Sequence, residues 1–190
     1  MRPSVVFAVI WIGWVLSWFG ASFWSAPTEK RIVTWDVWAS RAALFAGALL
    51  LLHSARLMPG AARLWHAGYG AGYALAGLTL AGIVFVWWAR IHLGRLWSSA
   101  ITRKKGHRVV DSGPYAWVRH PIYSGLIAAL AATAAAQGTV TALCGAALVA
   151  IGLWLKARVE ERFLIAELGA EAYGAYRRRV PMLVPFLPAG

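Results

Sequence analysis

Acids are scarce in this sequence: seven Asp and Glu stand against nineteen Lys and Arg, for a formal net charge of +12. Cysteine is scarcer still. Cys144 stands alone, so an intrachain disulfide framework is excluded, and no zinc-ligand spacing exists. No Ser or Cys triad stands out, and no glycine-rich dinucleotide fingerprint occurs. Charged residues of both signs reach only 14%, against 60% apolar. A water-soluble fold of this size has no way to bury that much apolar surface. The chain therefore reads as an all-α integral membrane protein. Its positive charges fall between apolar blocks, which points to membrane topology and contact with anionic membrane lipids, and away from nucleic acid.

What is abundant agrees. Twelve tryptophans, most near the ends of apolar runs, suit the headgroup layer. Apolar runs at about 4–24, 37–57, 69–90, 122–136 and 139–156 predict about five transmembrane helices. The first is read as a retained span, because its uncharged run from Pro3 to Thr28 is too long for the core of a signal peptide. Gly68 and Gly72, followed by Gly77 and Gly82, predict close helix packing by the third. The fourth is alanine-rich and short, about 22 Å at 1.5 Å per residue, and forms with the fifth a tight hairpin broken at Gln137-Gly138-Thr139. Cys144 reads as a small buried hydrophobe, and His53 as an interfacial or packing residue. Beyond span 5, Leu164, Leu168, Ala172 and Tyr176 recur every fourth residue, predicting an amphipathic C-terminal helix that Pro181 and Pro185 end. The basic loop 91–121 and the basic tail both belong on the cytoplasmic side, which with five spans leaves the N-terminus outside.

Against this background residues 107–125, HRVVDSGPYAWVRHPIYSG, carry the densest mixture of Gly, Pro, aromatics and ionisable groups. They emerge on the same face as Glu160 and Glu161, two of the seven acids. A histidine, two carboxylates, two tyrosines and an arginine around an aromatic loop suit a zwitterionic small molecule. The cations would hold its carboxylate and the acids its ammonium. The competing reading is a stiff connector at the membrane surface, with Arg119 and His120 as interfacial charges and the glutamates in the first turn of the tail helix, where its dipole favours them.

Two blocks, GHRVVDSGPYAWVRHPIYSG at 106–125 and VEERFLIAELGAEAYGAYRRRVPMLVPFLP at 159–188, resemble the isoprenylcysteine carboxyl methyltransferase family and its bacterial relatives. The resemblance covers about residues 91–188. It implies division of the chain into spans 1–3 (residues 1–90) and a cofactor-binding catalytic region (91–190). The implied cofactor is S-adenosyl-L-methionine, held on the cytoplasmic side. By motif position, the cofactor-contacting residues are His107, Arg108, Val109, Val110, Tyr115, His120, Pro121, Ile122, Tyr123 and Glu160. Lys156 stands where eukaryotic members carry a substrate-binding arginine, and Arg158 follows two residues later, so either could engage the acceptor. Ala100 replaces an expected glutamine. The candidates for catalysis are thus Glu160, Glu161, Lys156 and Arg158.

Methyl transfer from a sulfonium depends on alignment and desolvation. A carboxylate acceptor is already ionised at neutral pH, whereas an amine needs a base, for which Glu160 or Glu161 is available. The resemblance thus implies a lipid-like or prenylated acceptor, with carboxyl O-methylation of an isoprenylated cysteine foremost. The alternatives are N-methylation of a phospholipid headgroup amine, an NADPH-dependent membrane reductase, and a non-catalytic membrane scaffold.

Overall fold

Apolar runs free of proline become helices along the whole chain. The computed structural model describes residues 1–24, 28–31, 34–56, 63–97, 102–104 and 109–187. Helices α1 (Pro3–Ser22), α2 (Trp35–Arg56), α3 (Tyr69–Leu93), α4 (Pro121–Gln137), α5 (Val140–Leu168) and α6 (Ala170–Arg179) make an all-α, multi-spanning membrane fold. Four of them, α1, α2, α3 and α5, are long and apolar enough to cross a membrane, and α4 is a shorter apolar helix. Prolines at the first position start α1 and α4, where a missing N–H costs nothing.

The helices pack in the order α1, α3, α4, α5, α2, so the first two spans in sequence lie at opposite edges. Glycines set the closest approaches. A Cβ on Gly82 would fall 2.8 Å from the Gly125 carbonyl oxygen, joining α3 to α4, and one on Gly47 would fall 2.6 Å from that of Gly145, joining α2 to α5. Gly82 thus packs as the sequence predicts, and Gly72 lies against Pro3 of α1, whereas Gly68 and Gly77 face open space.

The connectors sort to two faces. Strand β1 (Thr28–Arg31), between α1 and α2, pairs antiparallel with β2 (Thr102–Lys104), between α3 and α4. At the other face the α2–α3 connector meets the α4–α5 turn. Leu64 N–H donates to the Gly138 carbonyl at 2.7 Å, Trp65 Nε1 donates to the Ala135 carbonyl at 2.8 Å, and the Ser54 and Thr139 hydroxyls lie 2.5 Å apart. Gly138 takes the left-handed conformation that closes α4, and the Thr139 hydroxyl caps α5 by accepting from Ala142 N–H.

Several sequence expectations change. Lys156 does not end the fifth helix: α5 runs on through Glu160 and Glu161 to Leu168, because charge ends an apolar run without ending a helix. The expected single tail helix is instead the last turns of α5 and a separate α6, divided by Gly169 at φ +90°. Cys144 is exposed on the outer face of α5 rather than buried. Arg90, which with Trp87 and Trp88 marks in the sequence the exit of the third span at the interface, is fully buried. Its guanidinium lies between the Trp24 and Trp97 rings and donates to the carbonyls of Ala21, Trp24 and Gly94, latching the end of α1 to α3.

Candidate active site

The site forms where α4 begins, α5 leaves its apolar stretch and the C-terminal segment returns. Upstream of α4, Gly113 at φ +58° opens a 3₁₀ turn over Gly113–Ala116, which drives the Tyr115 ring into a cluster with Val86, Ala89, Trp97 and Ile122. Burial raises the Tyr115 phenol well above its ordinary range, so this ring stays neutral. From α6, the Tyr176 hydroxyl donates to the Tyr115 carbonyl at 2.7 Å and fixes the turn from the opposite side.

Four residues on, Arg119 holds three segments together. Its Nε donates to Glu161 Oε1 at 2.6 Å and Nη2 to Oε2 at 3.3 Å, a forked pairing with both side chains buried. Nη1 donates to the carbonyls of Arg177 and Val180, at 2.7 and 2.6 Å. The backbone continues the join: Arg119 N–H donates to Pro181 O, His120 N–H to Met182 O, and Ser124 Oγ to Leu183 O. Residues 180–183 are thereby strapped across the start of α4.

His120 sits between the two glutamates. Nε2 is 3.3 Å from Glu161 Oε1 and Nδ1 is 3.6 Å from Glu160 Oε2, while the ring stacks on Tyr123 with centroids 5.5 Å apart. Burial opposes the imidazolium most strongly, but hydrogen bonds and charge from Glu160 and Glu161 together outweigh it, so the His120 pKa lies above its ordinary value. Glu160 has different company. It accepts from the Tyr123 hydroxyl at 2.7 Å, and Lys156, one turn earlier on α5, lies 3.9 Å away with its ammonium over the Tyr123 ring. Glu161 is 4% exposed at its side chain and Glu160 19%, so Glu160 is the one a ligand can reach.

The fold therefore brings together His120, Tyr123, Lys156, Glu160 and Glu161. Pro121 and Ile122 are buried at the start of α4. Val110 packs beside Tyr115, and Val109 packs against Tyr173, Tyr176 and Val180. Arg158 is not brought in: it is exposed and lies over the Trp154 ring on another face of α5. His107 and Arg108 lie outside the described residues. Reasoning from sequence passed over the joining role of Arg119, the Tyr176 bond and the Ser124 contact. For Tyr176 a signal existed, its place in the apolar stripe of the tail. Among the described residues no group of His, Cys, Asp and Glu could hold a metal ion.

The model of the isoprenylcysteine carboxyl methyltransferase family matches residues 75–166, from the middle of α3 almost to the end of α5. Over those residues, just under half of its length, the chain is similar to that family. The match takes in the 113–116 turn, Arg119, His120, Tyr123, Lys156 and both glutamates. Among curated proteins, a protein-S-isoprenylcysteine O-methyltransferase of Schizosaccharomyces pombe is 30% identical over 106 residues, 53% of this chain and 43% of that protein. A methanethiol S-methyltransferase 2 of Bradyrhizobium diazoefficiens is 48% identical over 75 residues, 38% of this chain and 27% of that protein. A methanethiol S-methyltransferase of Crocosphaera subtropica is 40% identical over 73 residues, 38% of this chain and 28% of that protein. The match thus spans less than half the length of each of these relatives.

Proposed function

We propose that this chain is an integral-membrane methyltransferase that uses S-adenosyl-L-methionine and acts on a lipid-like acceptor, with the isoprenylcysteine carboxylate as the leading candidate. The observation that carries the reading is the His120–Tyr123–Glu160–Lys156 cluster inside the family-matched segment. Its donor set fits the amino-acid end of this cofactor. The imidazolium of His120 suits the carboxylate, and Glu160, the more accessible acid, suits the ammonium. When bound, the cofactor supplies an electrophilic methyl group on a sulfonium. The chain's part is to hold and orient. Tyr115, Val109 and Val110 line the cofactor side, Pro121 and Ile122 set the start of α4, and Lys156 orients an anionic acceptor. Arg158 serves the interface, and Glu161 positions.

The same reading takes α4 as a fifth span. It follows β2 in the chain, and the Gly138 carbonyl at its C-terminus accepts from Leu64 N–H of the α2–α3 connector, which supports a helix running from one connector face to the other. The α4–α5 pair is then a membrane hairpin and α6 lies amphipathic at the surface. The basic face, with residues 91–121 and the tail, is cytoplasmic. Residues 91–190 act as the catalytic region, and residues 1–90 supply three spans.

A second reading rests on the names of the two bacterial relatives: the acceptor is a thiol, methylated on sulfur. A thiol with an ordinary pKa of about 8.5 must lose its proton, while a carboxylate need not. Glu160, hydrogen-bonded to Tyr123, is the available base. Incubating purified protein with methyl-labelled cofactor and either an N-acetyl farnesylcysteine or a small alkyl thiol separates the two. Label in the farnesylcysteine at a rate that does not rise between about pH 6 and 8 supports the carboxylate reading. Label in the thiol with a rate rising over that range supports the second, and no transfer to either overturns both.

A further inference from the structure

We propose that His92, at the end of α3, is a positioning residue for the cofactor: it locks the 113–116 turn from the water side and so sets the affinity of the site. The proposal rests on the methyltransferase reading, in which Tyr115 and its neighbours line the cofactor. Three contacts carry it. His92 Nε2 lies 2.9 Å from Ser112 Oγ. Atoms of its ring lie 2.7, 2.8 and 3.1 Å from the point a Cβ on Gly113 would occupy, so the imidazole fills the space that glycine leaves. The ring also stacks on Tyr115, with centroids 6.2 Å apart and planes 26° from parallel.

These contacts come from a side chain that is itself exposed, fifteen or more residues upstream of the motif it touches. Gly113 is constrained twice, by φ +58° and by the imidazole. The turn is therefore gripped on two sides. His92 holds it at Ser112, Gly113 and the Tyr115 ring, and Tyr176 of α6 holds the Tyr115 carbonyl. Within the turn, Tyr115 N–H donates to Ser112 O and Trp117 N–H to Pro114 O. Val118 N–H also donates to the Pro114 carbonyl, so loss of the His92 grip leaves Pro114 held by backbone bonds while Gly113, with no side chain, loses the ring packed against it. A turn that samples other conformations binds a rigid ligand more weakly, because the competent state is only a fraction of the population.

The test is calorimetric titration of S-adenosylhomocysteine into the full chain in detergent, alongside His92→Ala, His92→Gln and Ser112→Ala, with amide exchange of the ligand-free proteins. His92→Ala is expected to weaken binding about tenfold, the equivalent of one lost hydrogen bond and its packing. Protection of the Tyr115 and Trp117 amides should fall while that of α4 and the thermal midpoint hold. His92→Gln, whose amide reaches Ser112, should recover to within about threefold, and Ser112→Ala should lose about threefold to fivefold. His92→Ala binding as tightly as wild type overturns the proposal. So does a fall in the midpoint that accompanies the loss of affinity and is not relieved in His92→Gln, since that is general unfolding. Wild type that takes up no S-adenosylhomocysteine overturns the methyltransferase reading itself and the proposal with it.

Discussion

Glu160 and Glu161 are neighbours on one helix, yet they live in different surroundings. Glu161 turns inward to Arg119, whose remaining donors are taken by α6 and Val180 carbonyls, and both carboxylate oxygens are bonded. Glu160 turns about 100° away along the helix, to a tyrosine hydroxyl, a lysine and one edge of His120. A buried carboxylate forked to arginine has little capacity left for a ligand. One that leans on a hydroxyl and an ammonium can exchange partners when a ligand arrives. On the function proposed above, the difference separates an acid that builds the site from an acid that serves it, and His120 lies beside both.

The largest effect should come from breaking the inner pair. Arg119→Ala leaves Glu161 buried beside His120 and strips the carbonyls of Arg177 and Val180 of their shared donor, and removal of one partner from a buried ion pair costs about 3–5 kcal/mol. A large drop in thermal midpoint in detergent, with loss of activity, is the expected result. An unchanged midpoint would mean that the inner acid is no more structural than the outer one.

A smaller effect joins the two sides through pH. Because His120 is raised above its ordinary value by the glutamates, its imidazolium contributes stability that is fully present below the ordinary histidine range. That contribution is lost as the pH climbs through the raised value. The midpoint should therefore fall with rising pH above about 6.5, and His120→Asn should flatten the dependence. A midpoint that instead rises through this range contradicts the assignment. The smallest effect belongs to Arg158→Ala. Exposed over Trp154, it should leave cofactor affinity within about twofold of wild type, whereas Lys156→Ala should weaken acceptor binding.

Much of this was legible in the sequence. The apolar runs located the helices, and the two motif blocks carry His120, Tyr123 and Glu160, which the fold brings side by side. What escaped has physical causes. Apolar run length measures the membrane-embedded part of a helix, so the extension of α5 to Leu168, which carries both glutamates, was cut short at Lys156. Glycine spacing signals close packing but not which glycines face a partner: Gly82 and Gly125 meet, and Gly77 does not. Arg119 was read as an interfacial or carboxylate-binding charge because its partners include backbone carbonyls some sixty residues later, which no residue type announces. His92 escaped for a similar reason, since its contact depends on the turn that Gly113 makes.

The most direct test of the division between the two acids is a pair of S-adenosylhomocysteine titrations, into Glu160→Gln and into wild type. Wild type should bind saturably and Glu160→Gln at least about tenfold more weakly, the equivalent of about 1.4 kcal/mol, at an unchanged thermal midpoint. Equal affinity in the two would contradict it, because the acid assigned to the ligand would then be holding nothing.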